Sequence, residues 1–312
     1  VKQIRESNAI RSRLVAKVVC CIVPLLLGLS IAGCTGDGPG GASASSHAGS
    51  ATGGATKNHP NGSATATEKA VVVRPRISEE FVGRIDGSTA TIPLVTAALE
   101  DLRGSADGME FNTTPFAYEN LIAGDKDVIF VTEPSEGELA AAKAAEIELE
   151  VIPIVKDALV FLNNIRNPVR GLSQQQVKDI YSGKTNTWKG VGGIQKLITA
   201  YQRPVDSGSQ TLFLSLAMGD TKPVDAPTRE VLYGMSNLIE AVAEYDNSET
   251  ALGYSVFYYA QEMFSKDSIR LLEIDHVGPT RETIADESSP YITYYYAVIR
   301  SAEPVGSPVR QL

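Results

Sequence analysis

From about Val71 onward, short β-branched runs alternate with longer stretches of helical period, and most of these stretches open on a hydroxyl residue or a proline. This alternation restricts the chain to layered α/β architectures, because each apolar run needs helices packed on its faces. Val128–Val131 reads as a buried strand. Ser135, with Glu138 three residues on, forms a capping box that opens a helix through Ala145. Leu149–Ile154 and Ala158–Leu162 read as further strands. Ser173 and Gln176 make a second capping box, for a helix that Gly183 ends. Ile198–Gln202 and Thr293–Ile299 also have strand character. The sequence contains no internal repeat.

The N-terminal region is of a different kind. Lys2, Arg5, Arg11, Arg13 and Lys17 precede an apolar run from Val18 to Ile31, which is short for a membrane span and has the character of a secretory signal. The run ends in Leu29-Ser30-Ile31-Ala32-Gly33-Cys34, the small-residue pattern of a bacterial lipobox with Cys34 as the lipidated residue. Residues 1–33 are therefore expected to be a lipoprotein signal peptide, and the lipid on Cys34 to anchor the chain at the outer face of the cell membrane. Cys20 and Cys21 leave with the signal, so no disulfide and no cysteine-metal site is expected. Residues 34–70, rich in Gly, Ala, Ser and Thr, read as a flexible tether spanning about 30–35 Å. His47 and His59 lie in it without a third ligand nearby. The formal net charge is −9 and becomes more negative once the basic signal is removed, which argues against nucleic acid as a partner.

One arrangement occurs three times: a strand ends, hydroxyl residues follow, and a helix begins. The first is Asp86-Gly87-Ser88-Thr89-Ala90-Thr91-Ile92-Pro93, the second Phe111-Asn112-Thr113-Thr114-Pro115, and the third Arg203-Pro204-Val205-Asp206-Ser207-Gly208-Ser209. Pro93 and Pro115 suit a first helical turn. A helix start leaves backbone N–H groups unpaired and carries partial positive charge, so it can hold an anion. Hydroxyls add donors without net charge, Gly208 permits close backbone approach, and Arg203 offers a planar fork suited to an oxyanion. Taken singly, Ser and Thr at a helix start are equally ordinary N-caps. The anion reading requires the three turns to meet.

At these residues the chain resembles the phosphate-binding proteins of bacterial phosphate ABC importers. The resemblance runs over roughly residues 80–308. It rests on Asp86-Gly87-Ser88-Thr89, Asp127-Val128-Ile129-Phe130-Val131-Thr132-Glu133-Pro134-Ser135, Val151–Val160, Asn186-Thr187-Trp188, Arg203 with Ser207-Gly208-Ser209, and Ala251-Leu252-Gly253-Tyr254. It implies a two-lobed periplasmic-binding-protein type II fold, with the ligand in a cleft between lobes joined by two crossing strands. One lobe is expected at 71–156 plus 259–312 and the other at 157–258. Relatives continue beyond the segment matching Gly306-Ser307-Pro308, so the first lobe's second part is expected to be shortened. The implied ligand contacts are Ser88, Thr89 and Thr91 from the first turn, Thr113 or Thr114 from the second, and Arg203, Ser207, Gly208 and Ser209 from the third. Trp188 is expected in lobe packing. Many relatives carry an Asp two residues before the Pro of the strand-end motif. Here Thr132 stands in its place, able to donate or accept toward the ligand, with Glu133 following as an acceptor that either reaches the ligand or sits on the surface, which leaves phosphate-over-sulfate selectivity open.

The function implied is capture of inorganic phosphate, without a cofactor, by a monomer that hands it to an ABC permease. The competing readings are binding of sulfate or another tetrahedral oxyanion, and a sensor or adhesion protein on the same fold. A serine hydrolase built on Ser207 and His276 is disfavoured, because Asp206-Ser207-Gly208-Ser209 is not a nucleophile elbow.

Overall fold

The computed structural model describes residues 77–245 and 248–312. The signal peptide, Cys34, and the tether with His47 and His59 lie outside the described residues. The elements, in chain order, are α1 (Glu79–Val82), β1 (Ile85–Gly87), α2 (Ile92–Arg103), α3 (Thr114–Ala123), β2 (Val128–Val131), α4 (Glu136–Ala144), β3 (Leu149–Asn164), β4 (Gly171–Leu172), α5 (Gln174–Tyr181) and β5 (Thr199–Ala200). After these come α6 (Gly208–Leu212), continued by a π-helical segment Phe213–Met218, then α7 (Met235–Glu244), β6 (Ala251–Val256), β7 (Ile269–Leu271), β8 (Glu273–Ile274), α8 (Arg281–Ala285), β9 (Ile292–Arg300) and α9 (Pro308–Gln311). No helix among the described residues is long and apolar enough to cross a membrane.

Both capping boxes form as their spacing predicts. Ser135 Oγ accepts from the Glu138 amide while Glu138 Oε2 accepts from the Ser135 amide, and Ser173 with Gln176 does the same. Gly183 stands just past the end of α5 with φ +78°, the left-handed conformation that glycine takes most easily.

The two-lobed α/β fold is organised by β3. Its first part, Leu149–Ala158, pairs antiparallel with β9, beyond which lie β2 and, parallel to β2, β1. Its second part pairs with β6 on one edge and β7 on the other, and β5 lies parallel to β6. One strand therefore belongs to both lobes' sheets. Pro153 does not end it: the ladder shifts register between Pro153 and Val155, and that irregularity accommodates a residue with no N–H. The two strands expected from the sequence, Leu149–Ile154 and Ala158–Leu162, are one strand.

The return passage is β9, where the Leu159 amide donates to the Tyr291 carbonyl as β3 changes partners. Residues from Tyr259 through Tyr291 pack in the second lobe's core, and β7 pairs with Leu162–Asn164. Ile292, where β9 begins, pairs with Ala158 at the end of the first part of β3.

Packing follows strand periodicity. In β2, Val128 and Phe130 join one cluster with Val95, Leu99 and Ile299. Ile129 and Val131 join another with Ala117, Tyr118, Leu121 and Val298. The second lobe is built on aromatics. Phe161 contacts Tyr181, Phe213, Tyr254 and Tyr291, and Phe213 stacks on Tyr254 with centroids 4.6 Å apart. Trp188 is fully buried there, with Nε1 donating to the Thr250 carbonyl. Val309 of α9 packs into the first lobe's core, and Arg310 pairs with Glu150.

Asp127, at the start of β2, ties the first lobe's edges together. Arg84 Nε donates to its Oδ2 at 2.7 Å and Arg300 Nη2 to its Oδ1 at 2.7 Å. The Arg84 hydrogen bond, helped by Arg300, holds the Asp127 carboxyl below the usual aspartate range. A carboxylate stabilised in the folded state contributes stability above its unfolded pKa and loses it as pH falls through the folded value. We expect Asp127→Asn to cost about 1.5–3 kcal/mol at neutral pH. The difference from wild type should begin to shrink near the ordinary aspartate pKa of about 3.9 and vanish only below the depressed folded value, as read from denaturant melts over a pH series.

Candidate functional site

The parallel pairing of β1 and β2 sets Gly87 opposite Phe130, so the loops leaving both strands emerge at the same sheet edge. The Ser88 amide donates to the Phe130 carbonyl, which places Ser88 beside the end of β2, next to Thr132. Asp86 fixes this arrangement from beneath. Its carboxylate accepts from the Gly87 amide, the Asn112 amide and side chain, and the Asn120 side chain, all at 2.7–2.9 Å. The first turn is thereby tied to the second, and Tyr118 of α3 ties the second to β2 by donating to the Thr132 carbonyl.

The third turn comes from the other lobe and meets these two. A Cβ placed on Gly208 would fall 2.4 Å from Thr132 Oγ1 and 2.8 Å from Thr114 Oγ1, so only glycine fits at this contact between α6, β2 and α3. The turn also rests on the aromatic core. The Tyr254 hydroxyl accepts from the Arg203 amide and donates to Gln210 Oε1, which itself accepts from the Arg203 amide. The structure thus brings Ser88, Thr114, Thr132 and the Arg203–Ser209 turn into one region.

Arg203 is the dominant electrostatic feature. The residue is only 8% exposed, Nη2 donates to the Tyr233 carbonyl, and Nε and Nη1 have no protein partner. Burial lowers its pKa, with weaker opposing influences from Tyr254 and Tyr259. A buried guanidinium without a counter-charge is expensive, and it creates strong local demand for an anion. On the first and third turns and at the end of β2, Ser88 Oγ, Thr132 Oγ1, Ser207 Oγ and Ser209 Oγ are also buried without partners among the described residues. Several uncommitted donors in one neighbourhood are rare in a folded protein and indicate a place built for a ligand.

Not every residue expected at this site is available. The Thr91 hydroxyl is fully buried but donates to both the Ser88 and Phe130 carbonyls, so it braces the first turn and cannot donate to a ligand. Thr89 is exposed. Thr113 is the exposed N-cap of α3, and it is Thr114 that turns inward. Glu133 Oε1 accepts from Ser215 Oγ of the π-helical segment at 2.5 Å, which commits that oxygen to a contact between the lobes. His276 sits on an exposed turn with φ +69°, whereas Ser207 is buried.

Three residues are not legible as site residues from the sequence. Gln210 and Tyr254 orient the Arg203 backbone, yet nothing local marks them. Glu138 is marked only as a cap. Its Oε2 does accept from the Ser135 amide, but Oε1 is buried without a partner, and burial, with Asp206 nearby, raises its pKa to about 7.

Residues 48–308 match the family model of the PBP superfamily domain. The chain belongs to the PBP superfamily. Among its relatives in the superfamily is the phosphate-binding protein PstS of Bacillus subtilis (strain 168), 27% identical over 225 residues that cover 68% of this chain and 68% of that protein. PstS of Staphylococcus haemolyticus is 27% identical over 184 residues, covering 56% and 55%. The chain thus spans between about half and two thirds of these relatives' length. The fold is also that of a phosphate ABC transporter substrate-binding protein with bound phosphate from Clostridium perfringens, with TM-score 0.59 and 23% identity over 73% of this chain and 89% of that one. An ABC-type phosphate transport receptor from Vibrio cholerae gives TM-score 0.53 and 22% identity over 70% and 87%.

If the unpaired guanidinium is a stored cost, removing it should stabilise the free protein. We expect Arg203→Met to raise ligand-free stability by about 1–3 kcal/mol, since apolar replacement of a buried charge is often stabilising. Differential scanning calorimetry in anion-poor buffer reads this directly.

Proposed function

We propose that this protein captures inorganic phosphate outside the cytoplasm and presents it to the permease of an ABC importer. The observation that carries the reading is Arg203, buried with Nε and Nη1 uncommitted among the described residues, on a turn that meets Thr132 and Thr114 and in company with the unpartnered hydroxyls of Ser88, Thr132, Ser207 and Ser209. Guanidinium and hydroxyl donors in that number suit a tetrahedral oxyanion. The relatives and solved structures of this fold whose names specify phosphate point to the same ligand.

In this reading Arg203, Ser207, Gly208 and Ser209 hold the anion from one lobe, and Ser88, Thr114 and Thr132 hold it from the other. Thr89 and Thr113 stand at the rim, and Glu133 and Thr91 act as braces. Among the described residues, one lobe comprises 77–158 with the return strand β9 and α9, and the other lies within 159–291. Cleft closure around the ligand is the signal the permease reads. No catalytic step is assigned: the named relatives are binding proteins, and the Ser207 hydroxyl has no base within hydrogen-bond reach among the described residues. The lipobox ending at Cys34 supports a monomer tethered to the outer face of the cell membrane by residues 34–70.

Calorimetric titration of the domain with phosphate tests the reading. Saturation at one hundred times Kd should stabilise the domain by about 2.7 kcal/mol. Arg203→Ala should weaken binding by about 1.5–3 kcal/mol, the scale of a hydrogen bond to a charged group. Unchanged affinity in the variant would remove Arg203 from the site. Turnover of a phosphate ester would point to an enzyme instead.

A further inference from the structure

The groups facing the site are unusual in their charge balance. Its partnerless buried atoms are one guanidinium and four hydroxyls, on Arg203, Ser88, Thr132, Ser207 and Ser209. Most carboxylates of the surrounding elements are engaged by the scaffold through one oxygen or both, while Glu138 Oε1 and Asp157 Oδ2 are buried without a partner among the described residues. On β1, Asp86 accepts four hydrogen bonds from Gly87, Asn112 and Asn120. At the end of β2, Glu133 accepts from Ser215. Asp206, in the third turn, lies against Gly137 at the start of α4, where a Cβ would fall 3.1 Å from Oδ1. On β3, Asp157 accepts from the Ala158 and Tyr258 amides. On α4, Glu138 gives one oxygen to the Ser135 amide and keeps the other buried. Tyr118 on α3, Tyr254 on β6 and Tyr259, which also acts on Arg203, have their ionisation pushed up by burial.

A tetrahedral oxyanion that carries a proton must give that proton to an acceptor, and one that carries none must not meet a carboxylate. A fixed carboxylate would admit only the first kind and repel the second. A hydroxyl satisfies both, because it rotates to accept a ligand proton or to donate to a bare oxygen. We infer that Thr132, packed against Gly208 where the two lobes meet, makes the cleft indifferent to whether a bound dianion carries a proton, so that it takes tetrahedral dianions as a class, sulfate included. This inference rests on the oxyanion reading above and deepens it. With a single positive charge and neutral hydroxyls, the site also favours a dianion over a monoanion.

The test is calorimetric titration with phosphate and with sulfate, each above and below the second ionisation of phosphate, on wild type, Thr132→Asp and Glu138→Gln. Sulfate remains a dianion throughout, so it controls for titration of the protein's own groups. Wild type should bind sulfate within about 100-fold of phosphate, far from the roughly 10⁴-fold rejection typical of a site built around a ligand's hydroxyl proton. Its phosphate affinity, divided by its sulfate affinity, should rise with pH. Thr132→Asp should lose sulfate much more than phosphate and reverse that pH trend, whereas Glu138→Gln should leave the ratio unchanged. Wild-type rejection of sulfate by about 10⁴-fold overturns the inference. Should Glu138→Gln then abolish that rejection, Glu138 is the proton acceptor. Binding of phosphate with no binding of sulfate sinks the inference alone, while failure to bind either anion sinks the oxyanion reading with it.

Discussion

Everything at this site depends on a guanidinium that the fold buries without a counter-charge. Arg203 is held from its backbone side, where Tyr254 and Gln210 both accept from its amide. One end of the fork is spent on the Tyr233 carbonyl, which fixes its direction. The cost of desolvating this charge is several kcal/mol in a closed protein environment. The aromatic cluster of Phe161, Tyr181, Phe213 and Tyr254 supplies the packing that offsets it, because the same Tyr254 ring stacks on Phe213 and presents its hydroxyl to Arg203. Core packing and ligand chemistry are joined in that one tyrosine.

The fold's contribution is to bring donors from distant parts of the sequence to one place. A parallel β1–β2 pair releases two loops at one edge, and β3 carries the chain from that sheet into the next without a break. A continuous strand shared by two sheets lets the lobes bend relative to each other while their inner edges stay in register. The contacts named across the cleft are polar: Ser215 to Glu133, Asp206 against α4, and Gly208 against Thr132 and Thr114. Contacts of this kind suit a cleft that must open, since they bury little apolar surface.

Much of this is legible in the sequence where the signal is local. The capping boxes at Ser135 and Ser173, strand β2, and the three hydroxyl-bearing turns are encoded in spacing of a few residues. What the sequence leaves open depends on a rotation or a partner far away. Thr113 and Thr114 differ by one position, and only the helix phase decides which faces inward. Thr91 has the chemistry of a ligand donor, but two carbonyls, one of them from β2, claim its hydroxyl. Glu133 has the chemistry of an acceptor for the ligand, but its partner Ser215 stands 82 residues away in sequence. Leu149–Ile154 and Ala158–Leu162 read as two strands because Val155-Lys156-Asp157 breaks the apolar run locally, while the pairing that carries the strand through belongs to the ladder with β9.

An acidic protein that binds an anion is contradictory only when charge is summed over the chain. The net charge of −9 is spread over a surface where salt screens it within about 10 Å. The carboxylates close to the site, Asp86, Glu133 and Glu138, each serve a backbone or hydroxyl donor of the scaffold. They organise the turns and leave the ligand-facing side to donors. Negative charge thus helps build the anion site, because it fixes the loops whose N–H and O–H groups point the other way. Affinity follows from that local orientation, which the overall composition does not determine.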